Sequence, residues 1–470
     1  MKTALTLLFT FLLVSKTFAS DLSIQSPILY QEGDEFYTIF TLTWNNAWRN
    51  ARNHDAAWVF SKFNRGLNGY VHGYLHTNGH QIIETSKGAA LEIEVPEDGV
   101  GAFIRLKNNY IGNIKTIIRL RIDASKFGNF NPRSAAFHVF GIEMVYIPAG
   151  GFTLGDPDAR AQAYGAMYLS DNEGNAVGLF EINSEKQVIE VGPTTGNLYY
   201  KAPEGYEGDQ TGTIPADFPK GVMPFYIMKY EPTQVQYADF LNSLSSDQSQ
   251  HRANFGGKDY YQKRGTIKVE NGKYIAGAPG RPCNFMSWDD GMAYADWAGL
   301  RPMTEFEFTK AARGPGKPIA GEYPWNTDSK LKVQRTYDQE GNFIMLNGWT
   351  EDQLSDETKA YFGASYYWVM DLAGSTWERV ISIGHPKGRA FIGSHGDGRL
   401  SYYGFATNED WPAGLTETGG FGFRGGGYYE FGRPYSEFLP YSPIAYRRFG
   451  GWSGGNRYEA YGQRFVRSVK

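Results

Sequence analysis

The chain has 470 residues and a mass of 52.7 kDa, enough for two to four domains at about 100–200 residues each. A formal net charge of −4 and a pI near 6.1 give no electrostatic case for binding nucleic acid or an anionic membrane surface. The chain contains 57 glycines and 16% aromatic residues, a composition typical of strand-and-loop proteins rather than helix bundles. Cys283 is the only cysteine, which excludes an intrachain disulfide and any multi-cysteine metal cluster.

The first 19 residues have the three parts of a secretory signal peptide. Lys2 supplies the positive charge, residues 4–14 form a short apolar run, and Thr17-Phe18-Ala19 is an acceptable cleavage site. We therefore expect residues 1–19 to be removed and the mature chain to begin near Ser20. Because no later stretch is long and apolar enough to span a bilayer, the sequence predicts a secreted or periplasmic protein without a membrane span.

Residues 20–138 are predicted to form a separate β-sandwich domain. Short β-branched or aromatic runs such as FYTIFTLTW, ALEIEVPE and TIIRLRID alternate with Asn, Gly, Asp and Pro. Strands that recur every ten or so residues between turn signals are typical of sandwiches. The segment FNPRSAAF near 130–137 is interpreted as the linker that follows.

A second domain is predicted over residues 141–470, beginning with the strand and turn GIEMVYIPAGGF. Residues 156–218 are polar and rich in Gly, Asp and Asn, and are interpreted as a long insertion. After the insertion, the last 150 or so residues contain almost no helical periodicity and are dense in Gly, Trp and Tyr.

Three helices are predicted between the insertion and residue 314. The first begins near Thr233, and the second has Ser287 as its N-cap and ends at Gly299. The third has Thr304 as its N-cap and ends at Gly314. Acidic residues in the first turns, among them Asp289, Asp290, Glu305 and Glu307, are explained by capping and by the helix dipole.

The order of motifs in the second domain resembles a known family. The motifs are GIEMVYIPAGGFTLGD, FYIMKYEPTQVQYADFLNSL, RPCNFMSWDDGMAYADWAGLRPMTEFEFTKAARG, YPWN, VMDLAGSTWERV, GFRGGGYY and GQRFVR. Together they resemble the formylglycine-generating enzyme (sulfatase-modifying factor) domain family, which also includes the catalytic domain of ergothioneine-pathway sulfoxide synthases. The resemblance implies an α+β, C-type-lectin-like fold with few helices and many loops for 141–470, and it leaves 20–138 outside the family core.

The resemblance also implies an oxidase whose two cysteines bind copper, but this chain lacks those cysteines. Alignment on the Gly-Gly-Ser-Tyr element of the family puts Glu430 and Tyr435 at the two cysteine positions. Neither side chain can replace a thiolate at Cu(I), so copper is not expected. Cys283 stands where the family has an apolar residue, and we interpret it as a small buried hydrophobe.

The sulfoxide synthase relatives hold iron with histidines of a helical element. This chain has His72, His76 and His80, but they lie in a predicted strand and an Asn-Gly turn. We interpret them as part of a strand surface rather than as metal ligands.

The family's calcium-binding turn has a counterpart at Asp371–Glu378. The resemblance assigns side-chain ligands to Asp371 and Glu378, with Gly374 and Thr376 contributing as the family's backbone ligands. Carboxylate and carbonyl oxygens suit Ca²⁺ and do not suit copper or zinc. The sequence predicts Ca²⁺ here, and an ordinary Asx-type turn is the alternative.

The C-terminal fifty residues, 421–470, contain fourteen aromatic side chains with arginines between them. A segment in which tyrosine and arginine stand among Gly and Ser has the composition of a binding surface. The tyrosines and arginines are stiff amphipathic anchors, and the Gly- and Ser-rich loops that carry them are adaptable. We predict that a protein or glycan ligand contacts this surface through five residues: Tyr435, Tyr441, Arg447, Trp452 and Tyr458.

Two functions stay open at this point. The first is a secreted, non-catalytic binding or adhesion protein that uses the aromatic surface. The second is an oxygen-dependent oxidase of the formylglycine-generating type, which would need two thiolates that the sequence does not contain.

Overall fold

The computed structural model describes residues 22–66, 69–128, 131–132, 135–255, 258–329, 332–337, 343–413, 419–430, 433–434, 442–454 and 456–469. About 33% of the chain is strand and 15% is helix, so the protein is mostly β with few helices, as predicted. Among these residues, no helix is both long and apolar enough to cross a membrane.

The described residues of the first part of the chain form nine strands. They are β1 (Leu22–Glu32), β2 (Glu35–Arg49), β3 (Asp55–Asn64), β4 (Tyr70–Gly73), β5 (Gln81–Thr85), β6 (Leu91–Glu94), β7 (Ala102–Leu106), β8 (Tyr110–Ile122) and β9 (Phe137–Ile147). Strands β1, β2, β8 and β5 form an antiparallel four-stranded sheet. Alternate residues of β2 are buried, because one face of this sheet packs with β3 and β7 on a shared apolar cluster.

A second sheet connects this region to the rest of the molecule. Seven of its eight strands follow the order β20-β28-β17-β9-β3-β7-β6, where β17 is Phe225–Met228, β20 is Arg301–Pro302 and β28 is Phe465–Ser468. The eighth strand, β4, pairs with β3. Strand β9 pairs with β3 from Phe63↔Phe137 to Asp55↔Val145, and it pairs with β17 on its other side.

Residues 20–138 are therefore not the separate domain that was predicted, while their β-sandwich architecture stays a prediction. Strand β9 runs through residue 138 without a break, and the largest apolar core unites Trp58 and Phe103 with Tyr226 and Phe465. The prediction failed because pairing between β3 and β9 joins residues about eighty positions apart, which no local turn signal can reveal. The C-type-lectin likeness implied by the family resemblance stays a prediction.

The predicted insertion, 156–218, contains mainly short strands. The strands from 152 to 214 are β10 (Phe152–Leu154), β11 (Tyr168–Ser170), β12 (Ala176–Gly178), β13 (Phe180–Ile182), β14 (Ile189–Val191), β15 (Leu198–Tyr199) and β16 (Gly212–Ile214). Strands β10 and β13 form an antiparallel pair, and the other five form a small sheet. Their buried side chains, including Ile182, Leu198 and Ile214, join the largest core, so this segment is an integral layer of the molecule.

The three predicted helices are present at the predicted positions. The elements in this part are α1 (Gln234–Asn242), α2 (Ser246–Arg252), α3 (Lys258–Gln262), β18 (Ile267–Glu270), β19 (Lys273–Ala276), α4 (Trp288–Ala298) and α5 (Glu305–Arg313). Helix α1 is capped by Thr233, α4 by Ser287 and α5 by Thr304. Each cap is a reciprocal capping box with the residue three positions later in the sequence. Gly299 ends α4 in the left-handed conformation, at φ 69°.

The C-terminal third is dominated by loops and short strands. Its elements are β21 (Arg335–Tyr337), β22 (Phe343–Met345), α6 (Lys359–Phe362), β23 (Trp377–Ile381), α7 (Pro386–Arg389), β24 (Phe421–Arg424), β25 (Tyr429–Glu430), β26 (Arg433–Pro434) and β27 (Tyr461–Gln463), followed by β28. Strand β23 is central in a three-stranded sheet, antiparallel to β24 and parallel to β27. This sheet positions the candidate site.

Candidate ligand-binding site

An aromatic platform covers one face of the β24-β23-β27 sheet. Trp377 and Arg379 are two residues apart on β23 and so point to the same face. Phe423 lies opposite Arg379 on one neighbouring strand, and Tyr461 lies opposite Trp377 on the other. The rings of Phe423 and Tyr461 are 4.5 Å apart between centroids, which makes a continuous apolar surface.

Arg379 fixes the loop that borders this platform. Its guanidinium is buried, lies 4.5 Å from the Phe423 ring centroid, and donates to the carbonyls of Gly454 and Asn456 at 2.6 and 2.9 Å. Burial lowers the pKa of Arg379 to about 10, so the side chain is still cationic at neutral pH. The loop that carries Trp452 and Tyr458 is therefore held against the sheet by a buried charge.

The platform forms the floor of a cavity of about 930 Å³. Trp452 and Phe449 continue the aromatic lining, with the Trp452 ring 5.7 Å from that of Phe423. The opposite wall comes from Tyr164 and from Pro203–Gly205, which belong to the segment predicted as an insertion. A backbone hydrogen bond of 2.8 Å from Glu207 N–H to the Gly451 carbonyl joins that wall to the C-terminal loop. Two distant parts of the chain thus build one cleft, which we call the aromatic cleft.

Two of the five predicted ligand contacts line the aromatic cleft. Trp452 is half-buried and Tyr458 is 41% exposed, and both face this cavity. Tyr458 and Asn456 also line a second cavity of about 930 Å³, which continues past Arg457 and Phe285. Tyr435 and Tyr441 lie outside the described residues.

Arg447, the remaining predicted contact, is not at the surface. Its side chain is buried and donates to both carboxylate oxygens of Glu305, at 2.5 and 3.0 Å, and to the Gly165 carbonyl. The guanidinium lies 4.1 Å from the centroid of the buried Tyr200 ring. Arg447 therefore holds the inserted segment to α5, and its role as a ligand contact is a wrong prediction.

The position of Glu305 carries a sequence signal that this residue needs a buried cation, but not of which cation. In the Thr304 capping box the required carboxylate is Glu307, which binds the Thr304 N–H at 3.0 Å. Glu305 is not needed for the cap and lies on a helix that is buried along its whole length. A buried carboxylate requires a cation as its partner. The signal in the sequence was therefore an acidic residue that the capping box does not use.

A second cluster of charged residues is buried beside β23. Glu378 Oε1 accepts from Arg464 at 2.7 and 2.8 Å, and Asp371 Oδ1 accepts from Arg335 at 2.8 Å. Glu231 Oε1 accepts from the backbone and the hydroxyl of Thr376. Within the described part of the chain, Asp371 Oδ2, Glu378 Oε2 and Glu231 Oε2 are buried and have no hydrogen-bond partner.

Burial raises the pKa of each of these three carboxyl groups, that of Glu231 to about 8. The Arg464 guanidinium opposes this shift at all three sites, and Arg335 also opposes it at Asp371. Three carboxylates therefore face two guanidinium groups, and three oxygens remain unsatisfied. Hard oxygen donors with unsatisfied lone pairs fit a Ca²⁺ ion, so the residues present are compatible with the predicted metal.

The single cysteine is buried, and two of the three histidines in the predicted group hydrogen-bond to backbone carbonyls. Cys283 is fully buried, and burial raises the pKa of its thiol well above the ordinary value. His72 is buried on β4 and hydrogen-bonds to the Val100 carbonyl, whereas His80 hydrogen-bonds to the His76 carbonyl. Across the described ranges, no three His, Cys, Asp or Glu side chains are arranged to hold a metal ion by themselves.

Fold and site together define a mostly β protein with an aromatic cleft and a buried carboxylate–guanidinium cluster. Residues 138–468 match the sulfatase-modifying factor enzyme 1-like domain, and because this match covers most of the chain, the protein belongs to that family.

Curated relatives share shorter stretches with this chain. It is 32% identical over 108 residues to the formylglycine-generating enzyme of Thermomonospora curvata, which is 23% of this chain and 35% of that one. It is 33% identical over 106 residues to the Streptomyces coelicolor enzyme of the same name, which is 22% of this chain and 33% of that one. It is 33% identical over 110 residues to inactive C-alpha-formylglycine-generating enzyme 2 of Mus musculus, 23% of this chain and 34% of that one. Each match thus spans about a third of the relative.

Proposed function

We propose that this protein is a secreted or periplasmic, non-catalytic binding or adhesion protein whose ligand, a protein or a glycan, occupies the aromatic cleft. The observation that carries the proposal is the cleft itself. It has a sheet-borne aromatic floor, a loop fixed by Arg379, and a wall supplied by another segment. Rigid aromatic surfaces lose little conformational entropy when they bind, which favours recognition.

The cysteine content supports a non-catalytic role. The family oxidase needs two thiolates, and this chain has Glu430 and Tyr435 at those positions and a single cysteine elsewhere. That cysteine, Cys283, is fully buried, and burial raises its pKa, which keeps the thiol protonated and shielded. Relatives with the word inactive in their names fit the same proposal.

The chemistry of the cleft suits ligands that combine flat apolar faces with hydrogen-bonding edges. The half-buried Trp452 and Tyr461 and the exposed Tyr458 offer ring faces on which a sugar ring or an apolar side chain can stack, whereas Trp377 and Phe423 are buried. Glu204, Arg448 and Asn456 supply charged and polar groups within the same lining. Both a glycan and a peptide segment present that combination.

We also propose that Ca²⁺ binds at the Asp371–Glu378 turn and has a structural role. Asp371 and Glu378 would hold the ion through their unsatisfied carboxylate oxygens, together with backbone carbonyls of Gly374 and Thr376. The ion would stabilise the ionised form of these carboxyl groups, which burial disfavours. Because β23 begins at Trp377, within this turn, the ion would also fix the start of the strand that carries the cleft floor.

Binding to arrayed oligosaccharides and peptides tests the main proposal. We expect the wild-type protein to bind members of one array, and Trp452→Ala and Tyr458→Ala each to weaken that binding at least tenfold. Tyr261→Ala removes an exposed tyrosine that does not line the cleft and serves as the control, with binding unchanged. Unchanged binding by both cleft variants would contradict the proposal.

The alternative, an oxygen-dependent formylglycine-generating oxidase, has its own test. The purified protein is incubated with a sulfatase-type cysteine peptide, with and without copper, and the peptide is examined by mass spectrometry. We expect the cysteine to remain unconverted under both conditions. Appearance of formylglycine would establish the oxidase and end the non-catalytic interpretation.

A further inference from the structure

A separate cavity of about 590 Å³ lies between the start of β1, strand β9 and helices α1 and α4. Its lining is largely apolar and includes Ile24, Phe140, Val235, Tyr294 and Trp297. No residue of the aromatic cleft contributes to it. The cavity is therefore a distinct concave site, independent of the function proposed above.

Of the described residues that line this cavity, only Asp239 on α1 has a charged side chain. Within the part of the chain that the structure describes, its carboxylate accepts no hydrogen bond and lies in no ion pair. The surrounding protein raises the pKa of Asp239 to about 6, through the desolvation of its charge alone. Asp239 is an exposed residue, so at neutral pH its carboxylate is ionised, hydrated and open to a cation that enters the cavity.

Asp239 also borders an adjoining cavity of about 700 Å³. The other ionisable or charged side chains in that second lining are Tyr70, His138, Lys273 and Tyr274. Burial lowers the pKa of His138, which favours its neutral form. Lys273 is exposed to solvent, so its charge is hydrated. Among the described residues, the lining of the 590 Å³ cavity thus carries one negative charge and no positive charge.

The rings around Asp239 form an aromatic wall. The Trp297 ring centroid lies 4.8 Å from that of Phe140 and 5.5 Å from that of Tyr294. Trp297 is 96% buried, and among the described residues its Nε1 has no hydrogen-bond partner. Lys62, 5.5 Å from the same ring, donates to the Gly398 carbonyl and does not line the cavity. Aromatic faces attract cations, and an unpaired indole N–H requires an acceptor.

We propose that this cavity binds a small organic ammonium compound, with the ammonium group paired to Asp239 and the carbon skeleton packed on Phe140, Tyr294 and Trp297. The carboxylate supplies charge complementarity, and the rings supply apolar area and cation–π attraction. A hydrogen-bond acceptor on the compound would satisfy the Trp297 Nε1–H. The start of β1, at Leu22–Ile24, closes one side of the cavity.

Isothermal titration calorimetry with three probes of one shape tests the assignment. Benzylammonium, benzyl alcohol and benzoate carry a positive, zero and negative charge on the same ring system. We expect benzylammonium to bind the full mature protein at least tenfold more tightly than benzyl alcohol, and benzoate not to bind. Asp239→Asn should weaken benzylammonium binding at least tenfold. The matched control Asp34→Asn removes an exposed carboxylate in the β1–β2 turn and should leave binding unchanged.

A second variant keeps the test valid if Asp239→Asn perturbs folding. Val235 is 39% exposed and lies four residues before Asp239 on α1, on the same helix face. Val235→Lys keeps the carboxylate and places an internal ammonium beside it, so benzylammonium binding should fall at least tenfold. The proposal is overturned if the wild type binds no benzylammonium, if all three probes bind equally, or if both variants bind as the wild type does.

Discussion

At the residue scale, Arg447 and Glu305 form a buried ion pair in which each charge is compensated by the other. Both side chains are about 99% buried or more, and Glu305 also accepts the backbone N–H of Ile383. Arg424 approaches the same carboxylate at 3.5 Å and supplies a second, more distant cation. Removing Arg447 would leave a buried carboxylate that only Arg424 compensates.

We therefore expect Arg447→Ala to lower the free energy of unfolding by about 3 kcal/mol, the lower end of the range for breaking a buried ion pair. Urea unfolding followed by tryptophan fluorescence measures the change. The neighbouring Arg448 is exposed, so Arg448→Ala should change the free energy of unfolding by no more than about 0.5 kcal/mol. Equal losses in the free energy of unfolding for the two substitutions would show that the buried ion pair stabilises the protein no more than the exposed Arg448 does.

The same pair shows where sequence reasoning about single residues stops. Trp452 and Tyr458 could be predicted to share a surface, because aromatic residues among glycines are too numerous for one buried face. The burial of Arg447 could not be predicted from its neighbours, since its partner Glu305 lies 142 positions away in sequence. Local composition indicates that a binding surface exists, whereas long-range charge pairing decides which side chains belong to it.

At the element scale, helix ends were predicted well because their signals are local. Helix α4 begins at a Ser287–Asp290 capping box and ends at Gly299, and both features can be read from a few adjacent residues. Strand partners were predicted poorly, because β3 finds β9 only after the intervening chain has folded. The residues of the aromatic floor could not be predicted either, because only the pairing of β23 with β24 and β27 brings them together.

Gly299 gives a test of the helix end. Its φ of 69° costs a residue with a Cβ about 1–2 kcal/mol, and an added methyl group would also overlap the Val100 side chain. We expect Gly299→Ala to lower the free energy of unfolding by at least that amount. Because Val100→Ala removes the overlap, the double variant should lose less than the sum of the two single losses. Strict additivity in denaturant unfolding would contradict the predicted contact.

The Asp371–Glu378 turn gives a test of the proposed metal. A ligand that binds only the folded state stabilises it by about 2.7 kcal/mol at a hundredfold excess over Kd, so EDTA should lower the Tm and added Ca²⁺ should restore it. Glu378→Gln should abolish this response. Glu409→Gln, a substitution at an exposed position, should retain it. An unchanged Tm in EDTA would favour the Asx-type turn over a calcium site.

At the scale of the whole molecule, the N-terminal strands and the family domain share one sheet and one apolar core. Strand β9 lies in the middle of the eight-stranded sheet, between β17 and β3. Trp58 Nε1 donates to the Ala298 carbonyl at 2.8 Å, and the Phe103 and Tyr226 rings are 3.9 Å apart. These contacts cross the position where the family match begins, at residue 138.

We therefore expect the mature chain to unfold in a single transition and the fragment 139–470 not to fold alone. The fragment lacks β3 and β7, so β9 would become an exposed edge strand and the partners of Trp58 and Phe103 would face water. It should show no near-UV circular dichroism, bind a hydrophobic dye and lack a cooperative thermal transition. Chain 20–470, prepared in parallel, is the control and should show all the signs of fixed tertiary packing. A soluble fragment with its own sharp transition would mean that the family domain is autonomous and that the shared sheet adds only an accessory layer.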